Sequence, residues 1–143
     1  MTNQYEAVMN FLSTCPLVGE NAQFNFMDTA DTEENTALYT VPYGKTLKTY
    51  SDGTKIKVMQ FEIRQNRPFT QEVASDTDSM YAVQQLLNWI NTQGNNGNYP
   101  DFGKTKKIIA MSTPDGVDCP SVAQTAERGA LYAFPFEITY IEL

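Results

Sequence analysis

Lys45-Thr46-Leu47-Lys48-Thr49-Tyr50-Ser51-Asp52-Gly53-Thr54-Lys55-Ile56-Lys57-Val58-Met59-Gln60-Phe61-Glu62-Ile63-Arg64 consists of two strand-like runs separated by Ser-Asp-Gly-Thr. Asp-Gly between β-rich runs is a strong hairpin signal, because both central residues of the tightest hairpin turns need positive φ. A hairpin is expected here. In its second strand the apolar phase changes: Ile56 and Val58 fall on one face, and Met59, Phe61 and Ile63 on the other. A β-bulge near Val58 would reconcile the two phases, and so would a strand buried on both faces.

Upstream, Thr36 to Val41 reads as a strand and Gln23 to Phe26 as a shorter one, joined by a polar, acidic loop from Asp28 to Asn35. Before them, Tyr5, Val8, Met9 and Leu12 recur at helical spacing within Thr2 to Leu12, and Asn3 with Glu6 has the spacing of a capping box. That helix should stop at Cys15-Pro16, since a residue before proline is pushed out of the helical region. Downstream, Asp78 to Gln93 is helical, capped by Asp78 or Ser79, with Val83, Leu86, Leu87 and Ile90 as its buried stripe. Tyr81 and Trp89 are expected to widen the stripe, and Gly94 to end the helix as a left-handed cap. Lys106 to Ser112 is a short apolar strand. Ala130 to Leu143 alternates Tyr132, Phe134, Phe136, Ile138 and Tyr140 on one face, with Pro135 suggesting an edge strand or a bulge. The order α-β-β-β-α-β-β indicates one α+β domain, residues 1–143, with an antiparallel or mixed β-sheet flanked by two main helices.

At 143 residues and 16.1 kDa, with hydrophobic residues at 41%, the chain is long enough to bury a core without disulfides or metals. The N-terminus lacks the basic start and long apolar run of a signal peptide, so a cytoplasmic protein is expected, with Cys15 and Cys119 reduced. Seventeen acids stand against 10 basic residues, a net charge of -7 that repels nucleic acid and anionic lipid at long range. The charge is uneven. Acids gather at Asp28, Asp31, Glu33 and Glu34 and again at Glu72, Asp76 and Asp78, while six of the ten basic residues fall between Lys45 and Arg67. Segregation of this kind suits a head-to-tail ring, although solvated surface charge has the same pattern.

Catalytic signatures are missing. The chain has no histidine, which removes the commonest general base and the commonest transition-metal ligand. Gly103-Lys104-Thr105 resembles the end of a phosphate-binding loop, but the required glycine at position 98 is Asn98. Dinucleotide and EF-hand patterns are absent, and the two cysteines lack the further soft ligands of a zinc site. Neither an enzymatic activity nor a cofactor is expected. The alternating aromatics of the last strand could stack bases or a small ligand, but strict alternation with few cations beside it points to core. A carboxylate-based enzyme is the weaker alternative.

Several pieces fall in one order along the chain: Phe11-Leu12-Ser13-Thr14-Cys15-Pro16, Tyr39-Thr40-Val41-Pro42, Tyr50-Ser51-Asp52-Gly53-Thr54 with Gln60-Phe61, Leu87-Asn88-Trp89-Ile90 with Gly97 and Tyr99-Pro100, and Leu131-Tyr132 to Thr139-Tyr140-Ile141. Together they resemble the small tail-completion or tail-terminator proteins of long-tailed phages and prophages of Gram-positive bacteria. The segment Asp28 to Asn35 and the Asp115 to Gln124 loop look like variable parts of that pattern. The resemblance implies the α+β fold of the lambda-like tail terminator and a homo-oligomeric, hexameric ring. Such a ring caps the tail tube and docks onto the filled head. It also implies tail-tube and head-tail connector proteins as partners, with no membrane or direct nucleic-acid contact. The protein would then reside in the host bacterial cytoplasm during assembly and in the virion afterwards. Subunit contacts are expected between Lys48, Lys55 and Lys57 of the hairpin and an acidic surface such as Glu33 and Glu34. Partner contacts are expected in the loop of Asn95, Asn96, Asn98, Tyr99 and Asp101.

Overall fold

The structure is a computed structural model that describes residues 3–15, 23–26, 35–68, 73–114, 117–124 and 129–143. It has α+β architecture: two helices, α1 (Gln4–Ser13) and α2 (Val73–Asn95), pack on one face of a six-stranded sheet. The strands are β1 (Gln23–Phe26), β2 (Asn35–Thr49), β3 (Lys55–Pro68), β4 (Lys106–Ser112), β5 (Ser121–Gln124) and β6 (Gly129–Glu142). Their order is β1-β2-β3-β6-β4, with β5 also paired to β6. The sheet is mixed, because β1 runs parallel to β2 while the other pairings are antiparallel.

The core follows from strand alternation. Along β6, Tyr132, Phe134, Phe136, Ile138 and Tyr140 are buried on the helix face, and register places Gln65, Ile63, Phe61, Met59 and Lys57 of β3 directly opposite them. Phe61 stacks on Phe136 at 5.5 Å, and Tyr5 of α1 meets Phe61 edge-on at 6.3 Å. Into this surface α1 inserts Ala7, Val8 and Leu12, and α2 inserts Val83, Leu86, Leu87 and Ile90. Phe11 and Trp89 join the two helices at 5.4 Å. Trp89 packs against the core as expected. Tyr81 does not: it is 65% exposed, because at about 100° per residue position 81 lies on the side of α2 away from Val83 and Ile90. Ser79 is buried within that same stripe.

Asn3 caps α1, its Oδ1 accepting the Glu6 amide at 2.9 Å, while the return bond of the expected capping box comes from Asn3 Nδ2 to Glu6 Oε1 at 3.1 Å rather than from the Asn3 backbone amide. Other expectations are corrected. Helix α2 begins at Val73 rather than Asp78, so Asp78 and Ser79 are helical residues, not caps. It ends two residues beyond Gln93, and the left-handed residue is Gly97 (φ 75°), not Gly94. The amides of Gly97 and Asn98 donate to Gly94 O and Gln93 O at 3.2 and 2.9 Å, the paired bonds of a Schellman motif.

The hairpin is present, but its turn differs. Gly53 N–H donates to Tyr50 O at 3.0 Å, so Ser51 and Asp52 are the central residues and Gly53 (φ 93°) follows them. The two expected strands Thr36 to Val41 and Lys45 onward are one strand, β2, with register shifts between Thr40 and Gly44 and between Thr46 and Lys48. The irregularity therefore lies in β2, and β3 pairs with β6 without a break past Val58. Val58 is instead buried on the face away from the helices. β5 is an additional strand, lying inside the stretch expected to be a loop at Asp115 to Gln124. Pro135 is on an interior strand, β6, not an edge. Ala133 still pairs with Ser121 of β5 and Glu137 already pairs with Ser112 of β4, so Pro135 falls where that side of β6 changes partner. A residue without an N–H is tolerated there.

Candidate functional site

Seven lysines occur in the chain, and all are on or beside the strand ends at one end of the sheet. Cross-strand register builds this end in rows: Thr49, Lys55, Glu142 and Lys106 in the outermost, then Lys48, Ile56, Ile141 and Lys107, then Thr46, Lys57, Tyr140 and Ile108, then Lys45, Val58, Thr139 and Ala110. Lys104 leads into β4 at the same end. The hairpin brings four lysines together through its turn. β4 adds Lys106 and Lys107 from the other half of the sequence.

Because successive rows point to opposite faces, the lysines divide into two sets. Lys55, Lys57 and Lys106 belong to the helix face, and Lys45, Lys48 and Lys107 to the far face. Lys57 Nζ is 3.0 Å from Glu142 Oε2, and Lys106 Nζ donates to Gln4 Oε1 at 2.8 Å. The bond from Lys57, then the charges of Lys57, Lys106 and Lys55, hold the Glu142 carboxyl below its ordinary range. At the turn, Asp52 is also held low, chiefly by the Thr54 amide, which donates to its Oδ1 at 3.0 Å. An open pocket of about 370 Å³ on the helix face is lined by residues that include Tyr5, Thr46, Lys57 and Tyr140. Burial raises the Tyr140 phenol above its usual range, so it remains a neutral donor.

Of the expected subunit-contact residues, Lys48 and Lys55 are exposed and lie on opposite faces, and Lys57 has an intramolecular partner. Lys48 Nζ stands 4.9 Å over the Tyr50 ring. Glu33 and Glu34, like most of the Asp28 to Asn35 loop, lie outside the described residues. In the expected partner loop, Asn95 ends α2 and Asn96 is exposed, whereas the others are committed to holding the loop in place. Asn98 Nδ2 donates to Gln93 Oε1 at 3.0 Å, and Tyr99 OH to Ile109 O at 3.2 Å. Asp101 Oδ1 accepts the Gly103 amide at 2.9 Å, so an amide that a phosphate-binding loop would present to its ligand is already bonded to an acid. Tyr99, Pro100 and Asp101 line a second pocket of about 310 Å³ with Ala7, Asn10 and Phe11 of α1.

Sequence reasoning missed Lys106 and Lys107. Their adjacency in sequence is visible, but their pairing to Glu142 and Ile141 is a long-range contact with no local signal. The aromatic row of β6 is buried, with Tyr132, Phe134, Phe136 and Tyr140 between 0 and 6% exposed, and presents no stacking platform. Among the described residues, no helix is long and apolar enough to cross a membrane. No known family model matches the chain, and no curated protein matches it.

Proposed function

We propose that this chain is a structural virion-assembly protein of a phage or prophage, a subunit of a hexameric ring that caps the tail tube and joins tail to head. The observation that carries this reading is the partition of charge: all seven lysines are at one end of the sheet in a chain whose net charge is -7. Outside that end the sequence has three arginines against most of its seventeen acids. A rotationally closed ring needs a heterologous interface in which one patch meets a different patch of the next copy, and opposite charge on the two patches sets its orientation. On this reading the partners are copies of the chain, tail-tube protein and head-tail connector protein. Its site is the tail-head junction after assembly in the host cytoplasm, and it performs no catalysis.

The α+β fold supports the reading, since the exposed Lys55 beside the hairpin turn, at the end of the sheet, can meet a neighbouring subunit. The alternative of a ligand- or nucleic-acid-binding module loses its basis with the burial of the aromatic strand. Light scattering across protein and salt concentration tests the proposal. A particle of six times the 16.1 kDa chain mass that loosens as salt rises is expected. A monomer under every condition that also fails to bind tail-tube protein would overturn it.

A further inference from the structure

The far face of the sheet at the lysine end has an aliphatic floor between two lysines on one side and one on the other. Ile56 and Ile141 are directly opposite each other and half-buried, and Val58, next on β3, is 5% exposed. On the β2 side the floor is bordered by exposed Lys45 and Lys48, and on the β4 side by exposed Lys107. The two borders are three strand spacings apart, roughly 15 Å, and a helix with its side chains is about 10–12 Å across. Toward the middle of the sheet the next row carries Gln60 and Glu137, so the positive surface is closed off on that side. Both helices of this chain are on the opposite face.

We propose that this surface is a docking site for an acidic amphipathic helix of a partner protein, its apolar stripe on Ile56 and Ile141 and its acids reaching Lys45 and Lys48 on one side and Lys107 on the other. An apolar centre inside a charged rim is the usual anatomy of a protein interface. Nucleic acid fits less well. The floor is aliphatic, so it gives bases nothing to stack on, and its cations are all lysines, without an arginine fork for phosphate. A second copy fits less well too, because α1 and α2 both direct their apolar stripes into their own core. The site is on a different face from Lys55 and Lys57, so it stands whether or not the chain forms a ring.

The test uses the full chain and a fluorescent helical peptide of about 18 residues, roughly 27 Å long, with leucines on one face flanked by glutamates. A peptide of scrambled order and a single-stranded oligonucleotide of equal charge serve as controls. Saturable binding is expected for the patterned peptide, weakened about tenfold by the pair Lys48→Glu and Lys107→Glu and unaffected by Lys55→Glu on the other face. Amide shifts on binding should centre on Ile56 and Ile141. Equal binding of the scrambled peptide, tighter binding of the oligonucleotide, equal loss with Lys55→Glu, or no saturation would each overturn the proposal. Light scattering of the same variants reads the ring separately: peptide binding lost with the particle mass unchanged supports a distinct site. Loss of the particle in the Lys48 and Lys107 variant, but not with Lys55→Glu, would make this surface the subunit seam and overturn the partner assignment.

Discussion

A methyl group at Gly94 would overlap the Met111 carbonyl of β4, because here the last turns of α2 lie directly against the strand backbone. Alanine in a helix interior ordinarily gains about 1 kcal/mol over glycine, but a clash with backbone costs about 1–3 kcal/mol or more and cannot be relieved by a side-chain rotation. Gly94→Ala should therefore lower the thermal midpoint by several degrees. At Gly97 nothing crowds a Cβ, and the positive φ alone should make Gly97→Ala cost about 1 kcal/mol. Measured unfolding midpoints of the two variants separate close approach from cap, a distinction hidden in Gln93-Gly94-Asn95-Asn96-Gly97, where either glycine could end a helix. At Glu142 the expected effect is on titration. Its pKa is lowered, so the stabilisation from the Lys57 bond is present above the ordinary carboxylate range and is lost as pH falls through the lowered value. Carboxyl NMR should give a midpoint below that range, and Lys57→Met should move it upward.

Among the described residues β4 is an edge strand, held on its outer side by the end of α2. Asn91 accepts the Thr113 amide at 2.9 Å and donates to its hydroxyl at 3.2 Å, while Tyr99 OH caps the Ile109 carbonyl. Blocking an edge in this way also limits unwanted pairing with other chains. Asn91→Ala should cost about 1–2 kcal/mol and speed amide exchange at Thr113 and along β4, leaving Phe61, Ile63, Phe134 and Phe136 of the central pair protected. Uniform acceleration across the sheet would show that β4 opens only with the whole fold. The elements legible in sequence included those whose own periodicity specifies a buried face, α1, the α2 stripe, the hairpin strands and the aromatic run of β6, and the short strands Gln23–Phe26 and Lys106–Ser112 also form at the bounds expected. β5 was not, because Ser121-Val122-Ala123-Gln124 has no apolar alternation and is a strand only by pairing with β6. Pro135 misled for a related reason: which strand lies beside which is a property of the sheet, and the proline occupies a gap between two partners that local sequence does not reveal.

Over the whole molecule, the charge segregation seen within Lys45 to Arg67 becomes polarity along the sheet once β4 contributes its lysines, and that polarity makes the ring testable by exchange of charge. In a head-to-tail ring every subunit offers one basic and one acidic patch. Lys55→Glu spoils the first patch, to which Lys48 on the opposite face does not belong, and Glu33→Lys with Glu34→Lys spoils the second. Lys57 is left intact because its reversal would set like charges beside Glu142 within one subunit. Each variant alone places like charges across every seam and should remain monomeric by light scattering, since repulsive elements discriminate as strongly as attractive ones. Mixed in equal amounts, the two variants can alternate. Every seam then carries either the native pairing or its reversed counterpart, so an even-numbered ring should reappear and an odd-numbered ring should not. A particle that forms from either variant alone would show that these residues are solvated and that the ring, if it forms, closes on other contacts. Recovery only in the mixture would identify the interface, its direction and its even symmetry in one measurement.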